Sequence, residues 1–280
     1  MKSIDLSARA KFRMSGSDRV RYLNGQVSND VSKIGEGEVL PACVTTVKGR
    51  LEGHVFVTVE PGGGAFLIDT DPELRETLFA RLGKYIIADD VELSDVTGDF
   101  LLVHELGADG EGAACERFAQ PGRDRWLRPG ELEGGADWMG AGAVERLRVE
   151  RGVPKWGAEL SEETLPAETL LDRTSVDFHK GCYVGQEVIS RVQSVGRVNK
   201  SLVALTFEDG EPEAGWRLID AAGKDVGVVT SVAISSDQRP LGLGFLKRDA
   251  TALRASGGQP GENGLSCAVE IRDSAFTTQR

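Results

Sequence analysis

The densest group of reactive side chains in the sequence is Lys180-Gly181-Cys182-Tyr183-Val184-Gly185-Gln186-Glu187, which sets a thiol, an amine, a carboxylate, an amide and two glycines within eight residues. A cysteine acts as a nucleophile or metal ligand through its thiolate, and a neighbouring lysine favours that form. Glu187 would oppose it if it lay close. The glycines allow a positive φ or a close approach of main chain to a ligand. Val188-Ile189-Ser190-Arg191 can open a helix or a short strand. If it opens a helix, Cys182 lies near a helix N-terminus, where unpaired N–H groups favour an anion. The same eight residues also read as a Gly-rich turn with a small packed cysteine.

Composition narrows the other possibilities. The chain has 280 residues, enough for two or three modules, and an apolar content ordinary for a globular protein. Lys plus Arg number 33 against 44 Asp plus Glu, a net charge of −11. That argues against direct nucleic-acid binding, which needs a basic surface. Cys43, Cys115, Cys182 and Cys267 are scattered, without the C-x2-C spacing of a zinc or iron–sulfur ligand set, and His54, His104 and His179 do not cluster. Neither a resident metal site nor a disulfide framework is expected. No Ser–His–Asp arrangement is suggested. The sequence lacks the ~18-residue apolar run of a membrane span and the pattern of a signal peptide, and Asp5 and Asp18 interrupt the basic residues a presequence would need. The expected location is the cytoplasm, with no membrane partner.

Lys-Gly-Cys-Tyr-x-Gly-Gln-Glu, met here at all seven fixed positions, resembles the signature of the YgfZ-type folate-binding proteins, relatives of the aminomethyltransferase (T-protein) of the glycine cleavage system. The resemblance extends to Asn24-Gly25-Gln26-Val27-Ser28-Asn29-Asp30, to Arg148 through Pro154, and to Pro166 through Asp172, with a gap around residues 104–140. It implies a protein that binds tetrahydrofolate or a one-carbon derivative and assists the assembly or repair of iron–sulfur enzymes, its transient clients. Cys182 and Lys180 would be the reactive pair. Glu150 falls on the acid of the family's Arg-x-Glu-x-Gly segment, which takes two parallel hydrogen bonds from the aminopyrimidine edge of a pterin. By spacing alone, Glu150 reads first as a solvated helix acid paired with Arg146 or Arg151. Tyr183 would stack on the pterin or fill the core. Gln186, Glu187, Asn29 and Asp30 would line the pocket, although Asn24, Gln26, Asn29 and Asp30 also suit turn and cap chemistry. Arg197, with Arg191 and Lys200, would meet the anionic glutamyl tail. One departure stands out. The aminomethyltransferases carry two adjacent aspartates after a Gly-rich turn, where this chain has Glu52-Gly53 after Gly49-Arg50-Leu51. Proton transfer needs a well-placed acid–base group, so a folate-dependent aminomethyl- or methyltransferase is the alternative rather than the leading reading. A folate-binding module without chemistry is a third.

The elements that must position these residues suggest an α+β fold. The resemblance implies a three-module, cloverleaf-like arrangement around a central folate pocket: 1–44 with 145–196 as the folate-binding core, 45–144 as an α+β sheet module, and 197–280 as a C-terminal β-barrel. From pattern, residues 4–13 form one strand, and Ser15-Gly16-Ser17-Asp18 reads as a capping box before a helix over 19–23 that Asn24-Gly25 ends. Strands follow at 40–47, 51–59 and 65–68. Pro61-Gly62-Gly63-Gly64 is a hairpin turn rather than a phosphate loop, since it lacks the lysine and helix start such a loop needs. Asp71-Pro72-Glu73 opens a helix carrying Leu74, Leu78 and Leu82. Strands follow at 91–94 and 100–105. Residues 107–142 are loop-like apart from one strand at 125–128. Helices are expected at 141–151 and after Leu165. Five short strands, at 201–207, 216–219, 225–232, 241–246 and 267–271, suggest a small barrel or sandwich, with 251–264 as a polar loop.

Overall fold

The computed structural model describes residues 1–107, 109–132, 135–194, 196, 198–208, 210–252, 254–257 and 266–272. The chain divides into two compact units. The first comprises residues 1–140, 161–166 and 171–195, and the second residues 141–160, 167–170 and 196–280.

In the first unit the order is β1 (Lys2–Asp5), β2 (Ala10–Ser15), α1 (Arg19–Gln26), β3 (Val39–Thr45), β4 (Leu51–Val59), β5 (Ala65–Thr70), α2 (Arg75–Gly83), β6 (Glu92–Asp95), β7 (Leu101–Leu106), β8 (Ala113–Cys115), β9 (Gly122–Leu127) and β10 (Asp137–Trp138). After α3 (Ala141–Arg151) of the second unit, α4 (Leu171–Thr174) and α5 (Gln186–Ser194) return to the first. Two five-stranded sheets result, ordered β3-β4-β5-β2-β6 and β10-β1-β7-β9-β8.

Alternation along β4 decides which face of the first sheet is covered by what. A Cβ at Gly53 would touch Leu78 and Leu74, so α2 packs on that face. Phe12, in register with Ile68, meets Phe79 of α2 at 5.5 Å between ring centroids. The opposite face carries His54, Phe56 and Asp69, and Phe56 and Asp69 are register partners. Here the two sheets are joined by charge. Asp69, fully buried, accepts from Arg9 and from Arg117 Nη1 and Nη2. Arg117 Nε donates to Asp124 Oδ2 at 2.7 Å, and Asp124 Oδ1 lies 2.7 Å from His104 Nδ1. The Arg117 guanidinium also lies over the Phe56 ring, 3.9 Å from its centroid. Glycine at 122 leaves room for the His104 ring, since a Cβ there would lie 2.5 Å from it.

Several elements depart from the sequence expectation. Residues 4–13 contain parts of two strands in different sheets, separated by Leu6–Arg9. The proposed capping box makes no side-chain cap. Ser17 donates to Asp90, and Asp18 accepts from the Asp90 N–H. Helix α1 runs on through Asn24 and Gly25 to Gln26. The Pro72 segment is a short 3-10 turn leading into α2, and Asp71 pairs with Arg9 instead of capping. The stretch 107–142 supplies three strands, of which β9 bridges β7 and β8. Its β-pattern is hidden because Gly122, Arg123, Asp124 and Arg125 are polar or small, and Asp124 is buried only by virtue of its ion partners. Pro61–Gly64 is the hairpin turn expected.

The second unit is a closed barrel, β11 (Lys200–Phe207), β12 (Arg217–Ile219), β13 (Asp225–Ile234), β14 (Pro240–Lys247), β15 (Arg254–Ser256) and β16 (Ser266–Arg272), in the order β11-β14-β13-β12-β15-β16. Strand β15 lies within the stretch read as a loop, and residues 253 and 258–264 of that stretch fall outside the described residues. Leu205 and Phe207 point into the barrel with Trp216, Leu218, Val229 and Cys267. Leu202 and Ala204 point outward, packing with Leu243, Phe245 and Val149 of α3. Buried Arg148 fastens α3 to the barrel by bonds to Glu159 at 3.0 Å and Ser231 at 2.6 Å. The whole is a mixed α/β architecture ending in a β-barrel.

Burial alone would raise the Asp124 pKa, but the Arg117 charge and the hydrogen bonds from His104 and Arg117 outweigh it and hold the group at about 2. Asp124→Ala therefore strands a buried guanidinium and is expected to lower the unfolding free energy by about 3–5 kcal/mol in urea titrations. Because the folded pKa is depressed, the Asp124 contribution is complete above the unfolded value near ~4. It is lost as pH falls towards about 2, so the gap between wild type and mutant narrows across that window.

Candidate functional site

Gly185 decides how the Lys180–Glu187 stretch is held. Its φ is +90°, and a Cβ there would lie 2.5 Å from the Thr46 carbonyl oxygen and 2.6 Å from Thr45 Oγ1. The main chain thus turns directly against the β3–β4 hairpin, and Thr45 Oγ1 donates to the Val184 carbonyl at 2.6 Å. Gly181, by contrast, has open space where a Cβ would go. After the turn the chain enters α5 at Gln186, which resolves the helix-or-strand alternative. Cys182 lies four residues before that helix, outside the first turn in which a helix terminus stabilises an anion.

Cys182 is exposed, whereas Cys43, Cys115 and Cys267 are buried. Tyr183 turns inward against Val176, Phe178 and Ile189. Its hydroxyl is buried with no hydrogen-bond partner, and burial pushes its pKa up to about 12. Another such atom is Asp172 Oδ1, whose carboxyl is raised by burial. Glu187 and Arg191 pair with each other on the exposed face of α5 at 3.1 Å.

Lys180 is buried, and Nζ donates to the carbonyl oxygens of Asn24, Val27 and Asn29, each at 2.7 Å. An ammonium has three N–H donors, so all are taken by main chain and none is left for a bond to the Cys182 thiol. The ammonium also lies 5.2 Å from the centre of the Tyr183 ring. Two of its acceptors belong to the last turn of α1 and the residue that ends it, where carbonyls lack helical partners. The residues of the Asn24–Asp30 stretch are likewise occupied locally. Asn24 Oδ1 accepts from the Val31 N–H, and the Asn29 amide donates to the Pro41 carbonyl at 2.8 Å. Asp30 accepts from Ser32 Oγ and N–H, which holds its carboxyl below the usual range. Turn and cap chemistry accounts for Asn24 and Asp30, while the Asn29 amide reaches Pro41 on β3.

The position of the aminomethyltransferase acids is occupied differently. Glu52 is paired with Arg81 at 2.7 Å, and Arg81 also donates to Gln26 Oε1 at 2.8 Å. Position 53 faces Leu78 of α2 and Leu74 just before it. His54 Nε2 lies 3.0 Å from Ser175 Oγ, and burial, with Arg9 and Arg117 nearby, pushes the imidazole down to about 3.

On the second unit, Glu150 projects from α3. Its side chain is partly exposed, 4.0 Å from Arg146 one turn earlier. Lys200 Nζ sits over the Phe245 ring, 4.1 Å from its centroid, and Arg197 lies outside the described residues. A residue that sequence reading missed is Arg272, on which Glu150 acts electrostatically. It carries no local motif, and only the barrel pairing brings it to α3. Among the described residues no group of three or more His, Cys, Asp or Glu could hold a metal ion, and no helix is long and apolar enough to cross a membrane.

Burial, partly offset by Asp30 and Asp177 and reinforced by Lys33, pushes Lys180 down to about 8. Lys180→Met is expected to cost about 2–4 kcal/mol at neutral pH, because three buried carbonyls lose their donors. In wild type, the unfolded lysine holds its proton up to ~10.4 while the folded one releases it near 8, so this group adds stability as pH rises between those values. Urea titrations from pH 7 to 10 check this: the gap between wild type and Lys180→Met should widen.

No protein-family model matches the chain. It is 28% identical to a mitochondrial iron–sulfur cluster assembly factor IBA57 homologue of Mycosarcoma maydis, over 71% of this chain and 55% of that protein. It is 29% identical to an aminomethyltransferase of Rubrobacter xylanophilus, over 86% of this chain and 75% of that one. Identity to the tRNA-modifying protein YgfZ of Escherichia coli is 26%, over 86% and 87% respectively. The chain thus spans little more than half the length of the assembly-factor relative. Among solved structures, the glycine cleavage system aminomethyltransferase T of Bartonella henselae superposes with a TM-score of 0.82 at 17% identity, covering 100% of this chain and 87% of that one. In sequence the chain is thus similar to YgfZ, to an iron–sulfur cluster assembly factor and to aminomethyltransferases, and its fold is that of the aminomethyltransferase.

Proposed function

We propose that the protein binds tetrahydrofolate or a one-carbon derivative and, through Cys182, assists the assembly or repair of iron–sulfur enzymes in the cytoplasm. The observation that carries this reading is the contrast among the four cysteines. Cys182 alone is exposed, on a loop whose neighbours Lys180, Tyr183 and Gly185 are each anchored. Taking up a one-carbon unit, exchanging into a mixed disulfide and contacting a client's cluster all need a thiol at the surface. Relatives named as an iron–sulfur assembly factor and as YgfZ support the client class.

Glu150 would hold the aminopyrimidine edge of the pterin. Its side chain is reachable, and its nearest ion partner, Arg146, is at the limit of contact, so the carboxylate has capacity for a ligand. The bound folate would supply a carrier for a one-carbon unit. Lys180 orients the loop, and Tyr183 fills the core beneath it.

The second reading, a folate-dependent aminomethyltransferase, is favoured by the relative of that name. The site weighs against it, because Glu52 is committed to Arg81 and position 53 carries no acid.

Calorimetric titration of the purified protein with tetrahydrofolate should show saturable binding, weakened in Glu150→Ala by about 1.5–3 kcal/mol, the scale of a hydrogen bond to a charged group. Unchanged affinity removes Glu150 from the pocket. Cys182→Ala should bind folate as wild type does yet fail to restore iron–sulfur enzyme activity in cells lacking the protein. Full restoration by that variant rejects the thiol's role, and aminomethyl or methyl turnover that survives it selects the transferase reading.

A further inference from the structure

Arg272 ends β16 directly opposite Ala204 of β11. Residues opposite one another in an antiparallel pair share a face of the sheet, and Ala204 lies on the outer face, packed with Val149 of α3. Arg272 therefore emerges on the face that α3 covers, where Glu150 follows Val149 in the chain. Its Nε and Nη2 atoms are both buried and both without a hydrogen-bond partner. These two donors lie on one side of the guanidinium, in the fork geometry that serves planar acceptors. A buried donor edge of a cation is costly to leave unpaired, and desolvation lowers the Arg272 pKa, an effect Glu150 offsets in part.

The neighbouring carboxylate decides what kind of ligand suits this edge. A free anion would meet the Glu150 charge, and a purely basic ligand would meet Arg272. A neutral, planar group presenting donors beside an acceptor meets neither objection. The 2-amino-4-oxopyrimidine ring of a pterin has that edge: the 2-amino group and N3–H donate, and the 4-oxo oxygen accepts. We infer that Arg272 and Glu150 form one recognition edge on the barrel unit, with Glu150 taking the two donors and Arg272 donating to the 4-oxo oxygen. This rests on the folate reading above and adds a specificity-determining residue to it. Against a 4-amino ring both groups lose a partner: N3 carries no hydrogen for the Glu150 carboxylate, and the guanidinium N–H groups face a donor where the 4-oxo ring offers an acceptor.

Calorimetry on the full chain with folate and with aminopterin, its 4-amino counterpart, tests the assignment. Wild type should favour the 4-oxo ligand by at least about tenfold, the lower end of the range for a hydrogen bond to a charged group. Arg272→Met should shrink that preference by about threefold or more, chiefly by weakening folate, and leave the share that Glu150 supplies through N3–H. Arg272→Lys, which keeps the charge but not the fork, should fall between them and decides the matter if the methionine variant unfolds on heating at a much lower temperature. Folate binding with the same 4-oxo preference in both variants overturns the role of Arg272 and leaves the folate reading standing. Absence of binding of either ligand, and of tetrahydrofolate, by wild type overturns both.

Discussion

The presentation of Cys182 depends on the Lys180 ammonium. Its three donors reach three carbonyls at the end of α1 and in the loop that follows, more than 150 residues away in sequence for Asn24, Val27 and Asn29 alike. A cation supplies what the end of a helix lacks, donors for its last carbonyls and charge opposite to its dipole. The same contact ties the two signature stretches together, so that Asn24–Asp30 and Lys180–Glu187 behave as one structural feature. The thiol then projects from a segment whose inward side chains, Lys180 and Tyr183, are fixed.

Around this point the first unit is stiffened by further couplings. Gly185 brings the loop against the β3–β4 hairpin, and Arg81 draws Glu52 and Gln26 together from a strand and a helix. Deeper in, Arg9, Asp69, Arg117 and Asp124 form a continuous chain of ionic contacts between the two sheets, which the hydrogen bond between His104 and Asp124 extends. Such buried charges are tolerated only with near-complete pairing, which makes the junction of the sheets specific as well as cohesive.

The second unit handles the same problem with packing and one clasp. Alternation along β11 sends Leu205 and Phe207 into the barrel and Leu202 and Ala204 towards α3. Arg148 of the Arg-x-Glu-x-Gly segment is consumed in holding α3 to β13. The residue two positions on, Glu150, stays partly exposed, 4.0 Å from Arg146, and Arg272 is brought to the same face by strand register alone.

Local chemistry was legible in the sequence. The 51–59 strand, the 141–151 helix and the Pro61–Gly64 turn follow from period and turn residues, and the eight-residue signature drew attention to Cys182 and to a family. The roles of Lys180 and Asn29 were not legible, because a lysine beside a cysteine reads as an electrostatic partner until its acceptors are known. Residues 107–142 read as loop because their strands are polar, and Asp124 is stabilised inside only by Arg117 and His104 from elsewhere in the chain. The amino-acid order by itself determined the elements, the turn glycines and the family signature, since these depend on spacing over a few residues. Tertiary structure alone decided which charges were already spent on partners and which, like Arg272, were left with an unpaired edge, since pairing depends on contacts between segments far apart in sequence.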